Sequence, residues 1–599
     1  MIAGAGRPVG MVERVRNRIR IVTVFAAAAL VLPGCSSSGP DQPKTVAQQF
    51  ADALTRDDVA GAAALTDDPK TAAGVLGPLY DGLGKDVKFE VREIGKDGAF
   101  TLSAAWKLGQ DGKQQWTYTT SGAAADKNGW KVRWNPVTVA PGLDQGPLSY
   151  GPAYPAKPAR VLDSAGGELL SQQVVTLVNV APGTDTAAVA ALLAPISSDV
   201  TAASVQSDIA GAQGKPATVI TLRESDIGPI RDRLAAIQGV TLAPQTRLLP
   251  DKSVASQTLS GLSDLWQQEM NAAAGWAVRA KTADGSTVRI AGADAQPTPD
   301  ITTTLDSGLQ RAAKAALASI DQPAAIVALQ PSTGNVLAMA QNAAADDKGP
   351  IALTGLYPPG STFKTITVSA ALQAGIVTPN STVGCPGKAN IEGRTIPNDN
   401  NFDLGQVPLH TAFARSCNTT MGKLAVQLPP DGLTKAAAQL GLGIDYVTPG
   451  LTTVTGKVPT ADTAAQRVEA GIGQGQVTAT PFGMALVAAS IARGSVPTPT
   501  VVAGQPGKPD RAPAPLPANI PEQIKPMMRE TVTDGTATAL RDIPGILGKT
   551  GTAEYIDDKH AHGWFVGIDG DLAFAVFISD AGSSTPAVAA AGRMLRAPR

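Results

Sequence analysis

The sequence predicts a multidomain α+β protein, and three observations carry that expectation. The chain has 599 residues, which at roughly 150 residues per domain allows about four domains. Composition shifts at Pro141 to Pro158 and at Asp294 to Pro299 divide it into three large segments. Within the first and third segments, helical apolar spacing and strand-like alternation occur in separate blocks, the pattern of sheets with helices on their faces. A hydrophobic share of 43% is enough for packed interiors, and Gly 62 with Pro 46 stays below the roughly 25 to 30% that marks disordered chain.

Taken in order, the N-terminal stretch reads as an address. Arg7, Arg14, Arg16, Arg18 and Arg20 precede an apolar run from Ile21 to Leu32, which ends in Pro33-Gly34-Cys35 and polar Ser36 to Ser38. The run is shorter than the roughly 18 to 20 residues that span a bilayer, so a cleaved signal peptide is expected. A Cys after a small residue resembles the lipobox of bacterial lipoproteins, which makes Cys35 the lipidated N-terminus. An ordinary secretory signal or short anchor is the alternative, because Pro33 sits where lipoboxes carry Ala or Ser. Both readings place the rest of the chain outside the cytoplasm.

From residue 43, Val46, Phe50 and Leu54 recur every four positions, as in an amphipathic helix. Val87, Phe89 and Val91 then alternate with Lys88, Glu90 and Arg92, and the Asp-Gly or Asn-Gly pairs at 97–98, 111–112 and 128–129 mark hairpin turns. This is a helix-then-meander domain whose tryptophans, Trp106, Trp116, Trp130 and Trp134, are expected to fill its concave core rather than line a cleft. Pro141 to Pro158 reads as a joint, followed by an α/β segment to about residue 297. The third segment opens with Leu309, Ala313, Ala316, Leu317 and Ile320 at helical spacing. A hairpin follows, formed by Ile326 to Leu329 and Val336 to Ala340 around Pro331-Ser332-Thr333-Gly334. Near the end Gly548 to Glu554, Gly563 to Gly567 and Leu572 to Ile578 read as neighbouring strands, so an antiparallel sheet with helical cover is expected.

Charge and rare residues narrow the function. Lys+Arg 50 against Asp+Glu 51 leaves a net charge of -1, which argues against nucleic acid as a partner. His410, His560 and His562 form no H-E-x-x-H pattern, and three Cys build no disulfide scaffold, which argues against a metalloenzyme.

The chemistry is concentrated in three short motifs. Lys364 is the one lysine with a serine three residues before it, in Pro359-Gly360-Ser361-Thr362-Phe363-Lys364. Alone this is weak, since chance gives about one such pair in a chain of this length, and by itself it is better explained as an N-cap serine with a surface lysine. Context adds to it. Gly360 and the prolines stop a preceding helix, and Thr362 to Ala374 reads as a helix stopped by Gly375, so Ser361 faces free N–H groups at a helix N-terminus with Lys364 on the same side. A serine hydroxyl needs a base to take its proton, and a lysine desolvated beside another cation can be neutral enough to do so. Ser416-Cys417-Asn418 follows 55 residues after Ser361, and Lys549-Thr550-Gly551-Thr552 starts another 133 on. Gly548-Lys549-Thr550 lacks the upstream Gly of a P-loop, and no G-x-S-x-G surrounds Ser361.

In this order the motifs are the S-x-x-K, S-x-N and K-T-G set of penicillin-binding proteins and serine β-lactamases. Thr304-Leu305-Asp306, Gly473-Gln474-Gly475 through Thr480-Pro481, Gly535-Thr536 and Trp564 to Gly567 are similar to further landmarks of a penicillin-binding transpeptidase domain. The stretch from Pro158 through Val161 and Asp163 to Gly166 resembles the box that opens the pedestal domain of class B penicillin-binding proteins, and departs from it at Pro158, Ala159 and Ser164. The first domain looks like the NTF2-like extension of the methicillin-resistance type. With the lipobox, the chain resembles the actinobacterial, mycobacterial-type penicillin-binding lipoproteins. The organisation implied is a lipoprotein signal peptide at 1–34, a tether at 35–42, an NTF2-like domain at 43–150, an α/β dimerisation or pedestal domain at 151–297 and a transpeptidase domain at 298–599.

The resemblance implies a peptidoglycan D,D-transpeptidase without a cofactor. Ser361 would attack the carbonyl between the terminal D-alanines of a stem peptide, Lys364 would accept its proton, and Ser416 would pass a proton to the leaving D-alanine. Asn418 would hold the substrate amide and the lysine. Lys549, Thr550, Gly551 and Thr552 would bind the terminal carboxylate, and the backbone N–H groups of Ser361 and Thr552 would form the oxyanion hole. Stem peptides, β-lactams, the membrane through Cys35 and a membrane glycan polymerase of the elongation or division machinery are the partners implied, at the outer face of the cytoplasmic membrane. A serine β-lactamase or D,D-carboxypeptidase is an alternative, although no Glu between Ser416 and Lys549 stands in the E-x-x-L-N context of class A lactamases. A non-enzymatic scaffold of a wall-synthesis complex is another. Cys385 and Cys417, the cysteines left once Cys35 is modified, are a candidate disulfide in an oxidising compartment, with two free buried thiols as the alternative.

Overall fold

The computed structural model describes residues 42–109, 111–126, 129–555 and 560–598, and these form two compact units. Cys35 and the signal region lie outside the described residues. Among the described residues, no helix is long and apolar enough to cross a membrane.

In the first unit, helices Pro43–Thr55, Val59–Ala64 and Pro69–Leu83 precede an antiparallel meander of Val87–Ile94, Ala99–Leu108, Gln114–Asp126 and Trp130–Val132. The four-residue spacing does what it predicts: Val46, Phe50 and Leu54 are all fully buried. A bulge between Val91 and Glu93 breaks the strand's alternation and leaves Val91 half-buried. Trp106 and Trp116 are core residues, the former packed against Tyr80 and Phe89, whereas Trp130 and Trp134 are only half-buried.

The stretch read as a joint contains a strand, Leu148–Ala153, in a three-stranded sheet with Gly275–Lys281 and Thr287–Ala293. Residues Ala277–Gly292 therefore belong to the first unit, and the segment expected to form one domain over 151–297 gives up this hairpin. The physical reason is burial: Ala277, Val278 and Ala280 are fully buried there, and Lys281 N donates to Pro147 O at 3.0 Å.

The second unit contains two five-stranded sheets beside several of two or three short strands. The first is built on the long strands Glu168–Val180 and Val240–Pro250 with Ala217–Arg223. Helices Thr186–Leu193 and Ala202–Gly211 close its core with Val189, Leu193, Val205 and Ile209. The second has the spatial order Val336–Gln341, Ala324–Leu329, Leu572–Ile578, Ala561–Asp569, Leu547–Glu554, with every neighbouring pair antiparallel. Its inner strands read as continuous apolar runs because both faces are covered. Ala325, Val327 and Leu329 point into one core with Phe482 and Met484 of helix Pro481–Arg493. Ala324, Ile326 and Ala328 point into the other with Leu309, Ala313 and Met594 of helices Ser307–Leu317 and Thr585–Arg596. Ile320, placed on the first of these helices by its spacing, lies past the helix end and is half-buried. The strand Leu547–Glu554 ends the sheet, so one of its edges is left for other partners.

Candidate active site

Ser361 is delivered to that edge by a tight turn. Gly360–Phe363 is a 3₁₀ turn that leads into the α-helix Lys364–Gln373. The helix expected from Thr362 thus starts later, and Ser361 sits within the 3₁₀ turn rather than at an α-helical N-terminus. The turn is set by close packing. Gly360 has φ +51°, donates its N–H to Gly473 O at 3.0 Å, and leaves 2.4 Å between Thr552 O and the place a Cβ would occupy. Only glycine fits there. Gly551 plays the same part on the strand side, where a Cβ would stand 2.9 Å from both Pro359 O and the Thr362 side chain. Residues three apart eclipse one another in 3₁₀ geometry, so Ser361 and Lys364 share a side.

Lys364 is fully buried, and its Nζ donates to Asn418 Oδ1 at 2.6 Å and to Ser416 O at 2.7 Å, with Ser416 Oγ at 3.2 Å. Lys549, also fully buried, donates to the same Ser416 Oγ at 3.0 Å and to Thr550 O at 3.0 Å, and lies 5.6 Å above the Phe413 ring. One hydroxyl thus bridges two lysines. Burial, and then the charge of Lys549, hold the Lys364 ammonium well below the usual lysine range. Burial brings Lys549 down to about 7. A neutral Lys364 has two N–H bonds, and the two acceptor-only oxygens, Ser416 O and Asn418 Oδ1, take both. Its lone pair is then left for an O–H proton.

These contacts make Lys549 a buried, hydrogen-bonded part of the site rather than a solvated edge lysine. Asn418 is also more committed than expected. Its Nδ2 donates to Pro397 O at 3.0 Å, which turns its Oδ1 towards Lys364. Thr550 Oγ1 shares a hydrogen bond with Thr536 Oγ1 at 2.6 Å, and Thr552 Oγ1 accepts from Ser584 N at 3.2 Å. Ser361, Lys364, Ser416, Asn418 and Lys549 to Thr552 therefore converge. Ser361 Oγ makes no hydrogen bond among the described residues.

The Ser416 loop is held from behind. Ser416 has φ +64°, a left-handed conformation that persists only where its surroundings impose it. Cys417 is joined to Cys385 by a disulfide, and the two Cα atoms are 6.1 Å apart. The buried Asn398 accepts from Asn418 N at 2.8 Å and Thr419 N at 3.1 Å, and donates to Pro386 O and Phe402 O, each at 2.9 Å. Sequence reasoning missed Asn398 and Phe413. Asn398-Asp399-Asn400-Asn401 signals a turn, but nothing in it shows that the turn buries its first side chain beneath the Ser416 loop.

Residues 324–596 match the family described as penicillin binding protein transpeptidase domain, and residues 42–147 match the NTF2-like N-terminal transpeptidase domain. The peptidoglycan D,D-transpeptidase PbpA of Mycolicibacterium smegmatis is 33% identical over 356 residues, which cover 50% of this chain and 70% of that protein. A solved chain from a study titled "Structural coordination of polymerization and crosslinking by a peptidoglycan synthase complex" aligns with TM-score 0.52 at 24% identity, covering 75% of this chain and 91% of its own. Another, from a complex between penicillin-binding protein PBP2 and MreC of Helicobacter pylori, aligns with TM-score 0.53 at 17% identity, covering 75% of this chain and 98% of its own. At these identities the solved structures speak for the fold alone.

Proposed function

The chain belongs to the class B penicillin-binding proteins, the peptidoglycan D,D-transpeptidases, and from that premise we infer that it crosslinks stem peptides through an acyl-enzyme on Ser361. The observation that carries this assignment is the Ser416 hydroxyl shared by two buried lysines.

The carbonyl between the two terminal D-alanines lies against Ser361, with the terminal carboxylate on Lys549 and Thr550. Lys549 is fully protonated once that carboxylate is bound, because an opposite charge favours the ammonium. Lys364, neutral by burial, takes the Ser361 proton as the Oγ–C bond forms. The oxyanion is met by the N–H groups of Ser361 and Thr552, an arrangement supported by the packing of Gly360 against Thr552 O. As the C–N bond breaks, the proton passes from Lys364 through Ser416 to the leaving D-alanine amine. An amine from a neighbouring stem then attacks the ester, the Oγ–C bond breaks, and Ser361 recovers a proton. Penicillin enters the same route with its ring amide as the scissile bond, but its leaving group stays attached. Hydrolysis of that ester needs a positioned water and a base, and no Glu between Ser416 and Lys549 stands in the class A lactamase context.

The protein acts on the cell wall, outside the cytoplasm. Our reading places it at the outer face of the cytoplasmic membrane through a lipid on Cys35, beside a membrane glycan polymerase. The domain reading is an NTF2-like domain, a pedestal and a catalytic domain in that order. The intact mass after benzylpenicillin treatment tests the acyl-enzyme: wild type gains one penicillin, and Ser361→Ala gains none. Partitioning of the processed protein into detergent tests the anchor, and a mature chain that stays in the aqueous phase contradicts it.

A further inference from the structure

Beyond Lys549 and Thr552, the same strand ends at Glu554, five residues after Lys549, with an exposed carboxylate. Its Oε2 accepts from Gln474 Nε2 at 2.7 Å. Gln474 follows Gly473, whose carbonyl accepts the N–H of Gly360, so the loop that holds Glu554 is fixed to the turn that carries Ser361. A neutral amide leaves the carboxylate charge uncompensated, and no cation among the described residues forms an ion pair with Glu554. Two other acids of this unit differ: Glu469 is paired with Arg394 and Glu530 with His410. The negative charge is felt inside the site, where it works against the depression of Lys364.

Strand direction assigns this carboxylate a target. This step rests on the reading of Ser361 as nucleophile and Lys549 as carboxylate binder. A donor whose C-terminal carboxylate sits on Lys549 and whose scissile carbonyl sits at Ser361 runs antiparallel to the strand along its open edge. At about 3.3 Å per residue, the residue just before the two D-alanines lies alongside Ala553 and Glu554. Crosslinking consumes an amine on a neighbouring stem peptide, and donor and acceptor are copies of one peptide, so the donor carries such an amine too.

We propose that Glu554, held by Gln474, forms a subsite for a cationic side chain on the donor residue that precedes the two D-alanines. Synthetic depsipeptide donors ending in D-alanyl-thiolactate, with lysine or Nε-acetyl-lysine at that residue, test it through the rate of thiol release. In the wild type, kcat/KM for the lysine donor is expected to exceed that for the acetylated donor about fivefold, the upper end for one exposed ion pair, and in Glu554→Gln the ratio falls to about one. A ratio within one variant cancels any change in the reactivity of Ser361. Equal rates in the wild type, or a wild-type ratio kept by Glu554→Gln, overturn the subsite alone. A folded wild type that forms no penicillin adduct on Ser361 overturns the active-site reading and the subsite with it.

Discussion

Lys549 Nζ donates to Ser416 Oγ at 3.0 Å, from the edge strand of the sheet to a loop 133 residues earlier in the chain. Because Lys364 reaches the same oxygen, the hydroxyl is the point at which the base and the carboxylate-binding cation meet. Removing it should break proton transfer more than folding. Each lysine keeps a backbone acceptor, Ser416 O for Lys364 and Thr550 O for Lys549, so Ser416→Ala is expected to lose about 1 kcal/mol of stability. Its acylation by penicillin should slow about a hundredfold or more, the range of a lost acid–base step. Stopped-flow acylation beside a denaturation curve checks both.

The two lysines give the pH profile its limbs. Lys549 titrates at about 7 in the empty site and binds a carboxylate only when protonated. The rate kcat/KM, which reports the free enzyme, should therefore fall as pH rises through about 7 for donors with a free terminal carboxylate. A donor esterified at that carboxylate should lack this fall. On the acid side, activity is lost when Lys364 gains its proton, and because burial holds it well below the usual lysine range, the site stays active far below the pH at which an exposed lysine would be neutral. Acylation rates of the two donors across pH measure both limbs.

Asn398 should behave as a positioning residue. Truncating its side chain leaves the N–H groups of Asn418 and Thr419 and the Phe402 carbonyl without their partner, while Pro386 O keeps the Thr419 hydroxyl. Asn398→Ala is expected to destabilise the protein by about 3 kcal/mol, the cost of several unsatisfied buried groups. It should also slow acylation by loosening Asn418 beside Lys364. Chemical denaturation and acylation kinetics of the variant are the measurements, and wild-type values for both would remove Asn398 from the account.

The disulfide supports the same loop by another route. Cys385 and Cys417 are 32 residues apart, and opening a loop of that size costs about 2 to 4 kcal/mol. Adding reductant should lower the melting temperature of the wild type and leave that of Cys385→Ser/Cys417→Ser unchanged. Equal melting of the wild type with and without reductant would contradict this.

Much of the site was legible in the sequence because it lies in short motifs whose residue types are dictated by the reaction. Ser361, Lys364, Ser416, Asn418 and Lys549 to Thr552 meet in space although they are spread over 192 positions. The inner strands of the sheet that carries Lys549 were legible through their unbroken apolar runs, and the first helix through Val46, Phe50 and Leu54. What the sequence hid depends on long-range packing. Leu148–Ala153 looked like a joint because Pro and Gly outweigh its short alternation, and its partner strand Gly275–Lys281 comes more than a hundred residues later. The 3₁₀ turn at Ser361 is imposed by Thr552 pressing on Gly360, which no local propensity encodes. The burial of Lys549 was hidden as well, since a lysine on an edge strand is usually solvated, whereas here Phe413 and Ser416 lie against it.

The central claim is that Ser361, activated by a neutral Lys364, forms an ester that persists. Intact mass spectrometry of the protein after benzylpenicillin treatment tests it most directly. The account predicts a wild-type mass raised by one penicillin, the label mapping to the Ser361 peptide, and no adduct on Ser361→Ala. An unlabelled but folded wild type, an adduct that Ser361→Ala retains, or rapid turnover of the drug without a lasting adduct would contradict it.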